Sequence, residues 1–137
     1  MSLVHGIVVT HGRLGEALVE AAEEITGIAE ALTALSNQGV NPKSLRKNVE
    51  DAIGEGPALV FVDLGSGSCG FAANTAARAC RSTAVVTGVS LPMLIDFLFN
   101  RELDPFELAE RLVLKGRASI NSVSPHRSDD DARSVSN

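Results

Sequence analysis

The stretch that most constrains the fold runs from Leu3 to Thr26. It opens as an apolar, β-branched run ending at Thr10, turns at His11-Gly12, and continues with helical periodicity. Leu14, Leu18, Ala21, Ala22 and Ile25 recur at helical spacing on one face, while Glu16, Glu20, Glu23 and Glu24 fall largely on the others. The reading is a buried strand, a tight turn and an amphipathic helix. The turn carries a histidine, the side chain whose unperturbed charge change lies near neutral pH. A residue at the carboxyl end of a parallel strand stands on the edge where open α/β sheets bind their ligands.

The same alternation continues along the chain. Gly27 suits a helix C-cap. Residues 29–35 read as a weaker second strand, residues 36–42 as a loop, and Lys43–Ile53 as a helix ended by Gly54 and Gly56. Pro57–Asp63 is the clearest strand, a continuous apolar run of the kind found in a central parallel strand covered on both faces. A loop of small residues, Leu64–Gly70, leads to an Ala-rich helix over Phe71–Arg81. Thr83–Val89 reads as a fourth strand, and Leu91–Asn100 as a helix with Pro92 in its first turn. Asp104 and Pro105 supply the N-cap and first position of a last helix, whose apolar face is Phe106, Leu108, Ala109, Leu112 and Val113. Gly116 ends it, and Arg117–Val123 has the alternation of one short strand.

Strands alternating with helices imply an α/β fold, a doubly wound parallel sheet with helices on both faces. The expected strand order is 2-1-3-4. Residues 1–123 then form one domain, and the polar residues 124–137 cannot bury enough surface to order themselves. The hydrophobic content, 45%, is enough for a core, but aromatics make up only 4%, so that core must be Val, Leu, Ile and Ala. The net charge of −5 argues against a general nucleic-acid binder, which needs a basic stripe. No apolar run approaches a membrane span and no cleavable signal is visible, so the expected location is the cytoplasm. Cys69 and Cys80 lack metal-ligand spacing and are expected to be reduced thiols.

In the 2-1-3-4 order the first and third strands are neighbours, about 4.8 Å apart. His11 and Asp63 end those two strands and should meet. A carboxylate bonded to one ring nitrogen fixes the tautomer, frees the other nitrogen as a nucleophile, and stabilises the ring when it becomes positive. The loop holding Ser66, Gly67 and Ser68 crosses the same crevice into a helix N-terminus. Its N–H groups and hydroxyls suit phosphoryl oxygens. The chemistry expected is phosphoryl transfer to histidine, with catalytic His11 and Asp63, phosphate-binding Ser66, Gly67 and Ser68, and neither metal nor cofactor required.

Three stretches carry a resemblance to a known family: Ile7–Gly12, Val62–Asp63–Leu64 with Gly67–Ser68, and Gly88-Val89-Ser90-Leu91-Pro92-Met93-Leu94. Together they resemble the mannose-type enzyme IIA domain of the bacterial sugar phosphotransferase system. The resemblance implies phosphate accepted from the phosphocarrier protein HPr on His11, with Asp63 as the matching carboxylate and Ser68 as the phosphate-loop serine. It implies transfer onward to a IIB component, and contact with a membrane only through a IIC/IID transporter. It further implies a homodimer in which Arg117–Val123 forms a C-terminal antiparallel edge strand. The loop departs from the family pattern: Ser66 stands for a Gly and Cys69 for a Pro. Its Asp-Leu-Gly-Ser wording is also similar to the phosphotransfer subunit of dihydroxyacetone kinase. A regulatory phosphoprotein with the same chemistry, and a flavodoxin-like binding module without it, are the alternatives.

Overall fold

The computed structural model describes residues 2–125. Four strands, β1 (His5–Thr10), β2 (Leu32–Ser36), β3 (Ala58–Val62) and β4 (Thr83–Thr87), form one parallel sheet in the order β2-β1-β3-β4. Between and after them lie α1 (Leu14–Thr26), α2 (Pro42–Ile53), α3 (Ser68–Arg78), α4 (Leu91–Leu98) and α5 (Pro105–Ala118). The α/β architecture and strand order are those expected.

Alternation along the strands divides the core between the two faces. Val4, Val8, Leu59, Phe61, Ala84 and Val86 pack under α1, α4 and α5, where Phe61 meets Phe97 edge-on with ring centroids 5.2 Å apart. Ile7, Val9, Ala58, Val60 and Val62 face α2 and α3 across Leu45, Val49, Ile53, Ala72, Ala73 and Ala76. Fully burying one such Leu, Ile or Phe contributes about 1.5–3 kcal/mol. Both faces of β1 and β3 are thereby covered, which is why their sequences are continuous apolar runs.

Several boundaries differ from the sequence reading for identifiable reasons. The buried stripe of α1 is Gly15, Val19 and Ala22, while Leu14 and Ile25 are 48% and 59% exposed. Gly15 sits directly over Thr10, whose Oγ1 accepts its N–H at 2.6 Å, and a Cβ there would lie 2.8 Å from that oxygen. Helix α1 therefore crosses the sheet on its small residues. Strand β2 begins at Leu32, after Glu30 takes a left-handed turn, and extends to Ser36. Strand β4 ends at Thr87, before Gly88 with its φ of 75°. Phe106 is exposed; Pro105 takes the buried place beside Leu108 and Leu112.

Helix α3 starts three residues before the expected position, so Ser68, Cys69 and Gly70 belong to its first turn. Gly67, at φ 91°, makes the sharp entry, and Gly70 lets the turn settle on the Gly65 carbonyl, with which any Cβ would collide. The expected strand over Arg117–Val123 is corrected. Helix α5 does not stop at Gly116 but runs to Ala118, and Ser119 N–H bonds to the Lys115 carbonyl. Gly116 serves packing, not termination: a Cβ there would lie 2.9 Å from the Met93 methyl. Beyond the helix, residues 120–123 pair with no strand among the described residues. Of the expected disordered segment 124–137, residues 126–137 lie outside the described residues. No described helix is long and apolar enough to cross a membrane.

Candidate functional site

The site lies at the carboxyl edge of β1 and β3. Val9 is in register with Val62, so the residues that follow, Thr10 and Asp63, leave the sheet side by side, with His11 one step on. Thr10 is buried and clamps the start of α1 through Gly15. Gly12 turns the chain at φ 58°, and its N–H donates to Asn37 Oδ1 at 3.1 Å. Asn37 follows β2, the strand on the other side of β1. The His11 backbone is thus fixed from both neighbouring strands.

Asp63 holds His11 at two points. The His11 backbone N–H donates to Oδ2 at 3.0 Å, and the ring nitrogen Nδ1 lies 3.0 Å from Oδ2 and 3.2 Å from Oδ1. The Leu64 N–H adds a third bond, 2.9 Å to Oδ1. Burial by itself would push the Asp63 carboxyl up. The His11 N–H, the His11 ring and the Leu64 N–H together outweigh it and hold the group below the usual carboxylate range. An ionised carboxylate only accepts hydrogen bonds, so in the neutral imidazole Nδ1 carries the proton and the lone pair is on Nε2. The His11 side chain is 41% exposed against 11% for Asp63. The ring is open to solvent and the carboxylate behind it is covered.

The loop brings Gly67 against this edge. A Cβ on Gly67 would lie 4.0 Å from His11 Nε2. Ser68 opens α3, and Ser66 is exposed in the loop; neither hydrogen-bonds the His11–Asp63 pair among the described residues. The first intrahelical bond of α3 runs from the Phe71 N–H to the Gly67 carbonyl, so the N–H groups of Ser68, Cys69 and Gly70 have no acceptor within the helix. Asn74, further along α3, is in a groove beside β4 with Thr87 and Gly88. His5 is at the opposite end of β1, with Nε2 2.8 Å from Thr33 Oγ1.

Cys69 is the residue at this site that sequence spacing passed over. It is fully buried, and its Sγ lies within 4.8 Å of a donor atom on each of His11 and Asp63. Burial pushes its thiol up, the Asp63 charge adds to this, and a hydrogen bond with Ser68 partly offsets both. Asn37 was also missed, although the strand order that pairs His11 with Asp63 places the end of β2 beside them too. Cys80, half-buried, is on the α2 side, away from the site.

A family model described as the PTS system fructose IIA component matches residues 6–110. The chain therefore belongs to this family, the IIA components of the sugar phosphotransferase system, and is a phosphoryl-carrier subunit of that system. Its fold is similar to that of the mannose/sorbose-specific IIA subunit from Enterococcus faecalis, with a TM-score of 0.80 and 21% identity, covering 93% of this chain and 99% of that one. It is also similar to the phosphotransferase component EIIA from Streptococcus agalactiae, with a TM-score of 0.81 and 19% identity over 88% and 97% of the two chains. A third similar structure is the PTS IIA protein associated with the fucose utilization operon of Streptococcus pneumoniae, with a TM-score of 0.70 and 19% identity over 88% and 96%. No individually curated protein matches it significantly.

Proposed function

We propose that Nε2 of His11 is the phosphoryl acceptor. The observation that carries this reading is the pairing of His11 Nδ1 with Asp63, which leaves Nε2 bare at the open edge of the site beside Gly67. The Nε2 lone pair forms the new N–P bond. The bond between phosphorus and the donor breaks, and its electron pair leaves with the donor. The ring becomes positive, and Asp63, already ionised and bonded to Nδ1–H, stabilises that charge without moving. The free N–H groups of Ser68, Cys69 and Gly70 and the positive end of α3 stabilise the phosphoryl oxygens. Gly67 leaves room for the phosphoryl group, and the Ser66 and Ser68 hydroxyls are available to it. No step in this scheme calls for a metal or a nucleotide.

In this reading the donor is phosphorylated HPr, the acceptor is a IIB component, and the membrane is reached only through the transporter. The setting is the cytoplasm. The active unit is a homodimer, supported by the edge of β4, which has no strand partner among the described residues, and by the exposed Leu114 and Ile120 beside it. The test is transfer of labelled phosphate from phosphoenolpyruvate through the general components and HPr. Label should appear on the wild-type chain as an acid-labile, base-stable phosphoramidate, and His11→Ala should fold and take none. Label at the wild-type level in folded His11→Ala rejects the assignment.

A further inference from the structure

Phosphoryl transfer leaves the side chain of Cys69 unused. Its Sγ, a ring nitrogen of His11 and a carboxylate oxygen of Asp63 all lie within 4.8 Å of one another, and His11 and Asp63 are already 3.0 Å apart. A tetrahedral zinc ion, with bonds of about 2.3 Å to sulfur and about 2.0–2.2 Å to nitrogen and oxygen, needs its donors about 3.3–3.6 Å apart. Closing the triangle around an ion takes movements of about 1 Å, within the reach of side-chain rotation. We propose that His11, Asp63 and Cys69 form a binding site for a thiophilic divalent cation, zinc by chemistry, whose occupancy blocks phosphoryl transfer.

The donor types select the ion. Thiolate, imidazole and carboxylate together suit zinc, whereas magnesium and calcium favour sites of oxygen alone. Charge balance also fits. On binding, the Cys69 thiol releases its proton to solvent and gives its electron pair to the metal, as a coordinating thiol does. Thiolate and carboxylate then neutralise the dication, so the half-buried site holds no net charge. The exposed side of His11 provides the entry path and leaves a fourth position for water. Inhibition follows whichever ring nitrogen the ion takes. At Nε2 it occupies the nucleophile. At Nδ1 it displaces the Asp63 contact that stabilises the positive ring.

Cobalt(II) added to the reduced, purified full-length protein tests this directly, because cobalt stands in for zinc and reports its ligands in its spectrum. The wild type should develop a thiolate-to-cobalt charge-transfer band and tetrahedral visible bands, all displaced by zinc. Cys80→Ser should keep the charge-transfer band. Cys69→Ser should lose it and weaken zinc binding by at least the roughly 100-fold that lost supporting contacts can cost. Zinc should suppress phosphoryl uptake by the wild type, while the ratio of rates with and without zinc returns to near one in Cys69→Ser. Absence of the band in the wild type overturns the proposal without recourse to any variant, and so does its survival in folded Cys69→Ser. The binding measurement uses no phosphoryl donor, so its failure and a failure of the phosphohistidine assignment are distinguishable.

Discussion

Asp63 binds His11 through both its backbone and its ring: the main-chain N–H and Nδ1 each lie 3.0 Å from Oδ2. The backbone contact fixes where the histidine leaves the sheet, and the ring contact fixes which nitrogen is free. Asp63→Asn keeps the shape but replaces an anion with an amide that can also donate, which permits the wrong tautomer. Phosphoryl uptake should fall by about 10²–10⁴-fold while circular dichroism stays native. A rate near that of the wild type would remove the carboxylate from the mechanism.

This relationship was legible in the sequence because parallel strands buried on both faces show themselves as uninterrupted apolar runs. Two such runs ending in His11 and Asp63 need only the strand order to bring them together. The start of α3 was not legible. Ser68, Cys69 and Gly70 have turn-like composition, and what makes them helical is the seating of Gly70 on the Gly65 carbonyl, a tertiary contact. In α1, hydrophobicity pointed to Leu14 and Ile25, whereas the close approach to Thr10 selects Gly15. Cys69 was set aside for want of metal-ligand spacing; its nearness to His11 and Asp63 comes from the ends of two other elements, and linear spacing carries no trace of that.

Gly67 should be intolerant of substitution for two separate reasons. Its φ of 91° with ψ of −169° is a conformation that side chains rarely adopt, so Gly67→Ala should cost about 1–3 kcal/mol of stability or force the loop to shift. The added methyl also enters the space beside His11 Nε2. Uptake should slow by about 10- to 100-fold, the scale of a misplacement near 1 Å. Denaturant unfolding and transfer kinetics on one preparation separate the two effects. Unchanged stability together with unchanged rate would show that the loop does not act on the site.

His5, at the far end of β1, gives the stability a pH dependence unrelated to phosphoryl transfer. Burial first, and then the charge of Arg101, lower its pKa from 6.5. The unfolded chain therefore binds more protons than the folded one once the pH drops below that value. Stability from this residue is full above pH 6.5 and is lost as the pH falls through the folded-state value. His5→Gln keeps a group able to bond to Thr33 but does not titrate. The difference in unfolding free energy between wild type and variant should change between about pH 7 and about pH 5, in the direction that disfavours the wild type at the acidic end. Contributions from the other histidines cancel in that difference. Parallel stability curves would show that His5 stays equally easy to protonate in both states.

The edge of β4 is the place to test the dimer. Its outer backbone groups have no strand partner among the described residues, and a groove of about 400 Å³ runs beside it, lined by Val85, Thr87, Met93, Val113 and Ile120. An unpaired edge next to apolar side chains invites another chain. Ile120 is 81% exposed just past the end of α5, where it contributes little to the fold of its own subunit. Covering it with a second copy would remove its side chain from water at a gain of about 1.5–3 kcal/mol. Ile120→Asp should therefore weaken dimerisation by about tenfold or more, since each 1.4 kcal/mol is a factor of about ten. Monomer stability should hardly change. Ending the chain after Ser119 should act in the same direction and keep α5 whole, because the Ser119 N–H bond to the Lys115 carbonyl that closes the helix is retained. Sedimentation equilibrium over a range of concentrations measures both. A wild type that remains monomeric at micromolar concentration, or an Ile120→Asp protein that associates as tightly as the wild type, would rule out this edge as the subunit interface.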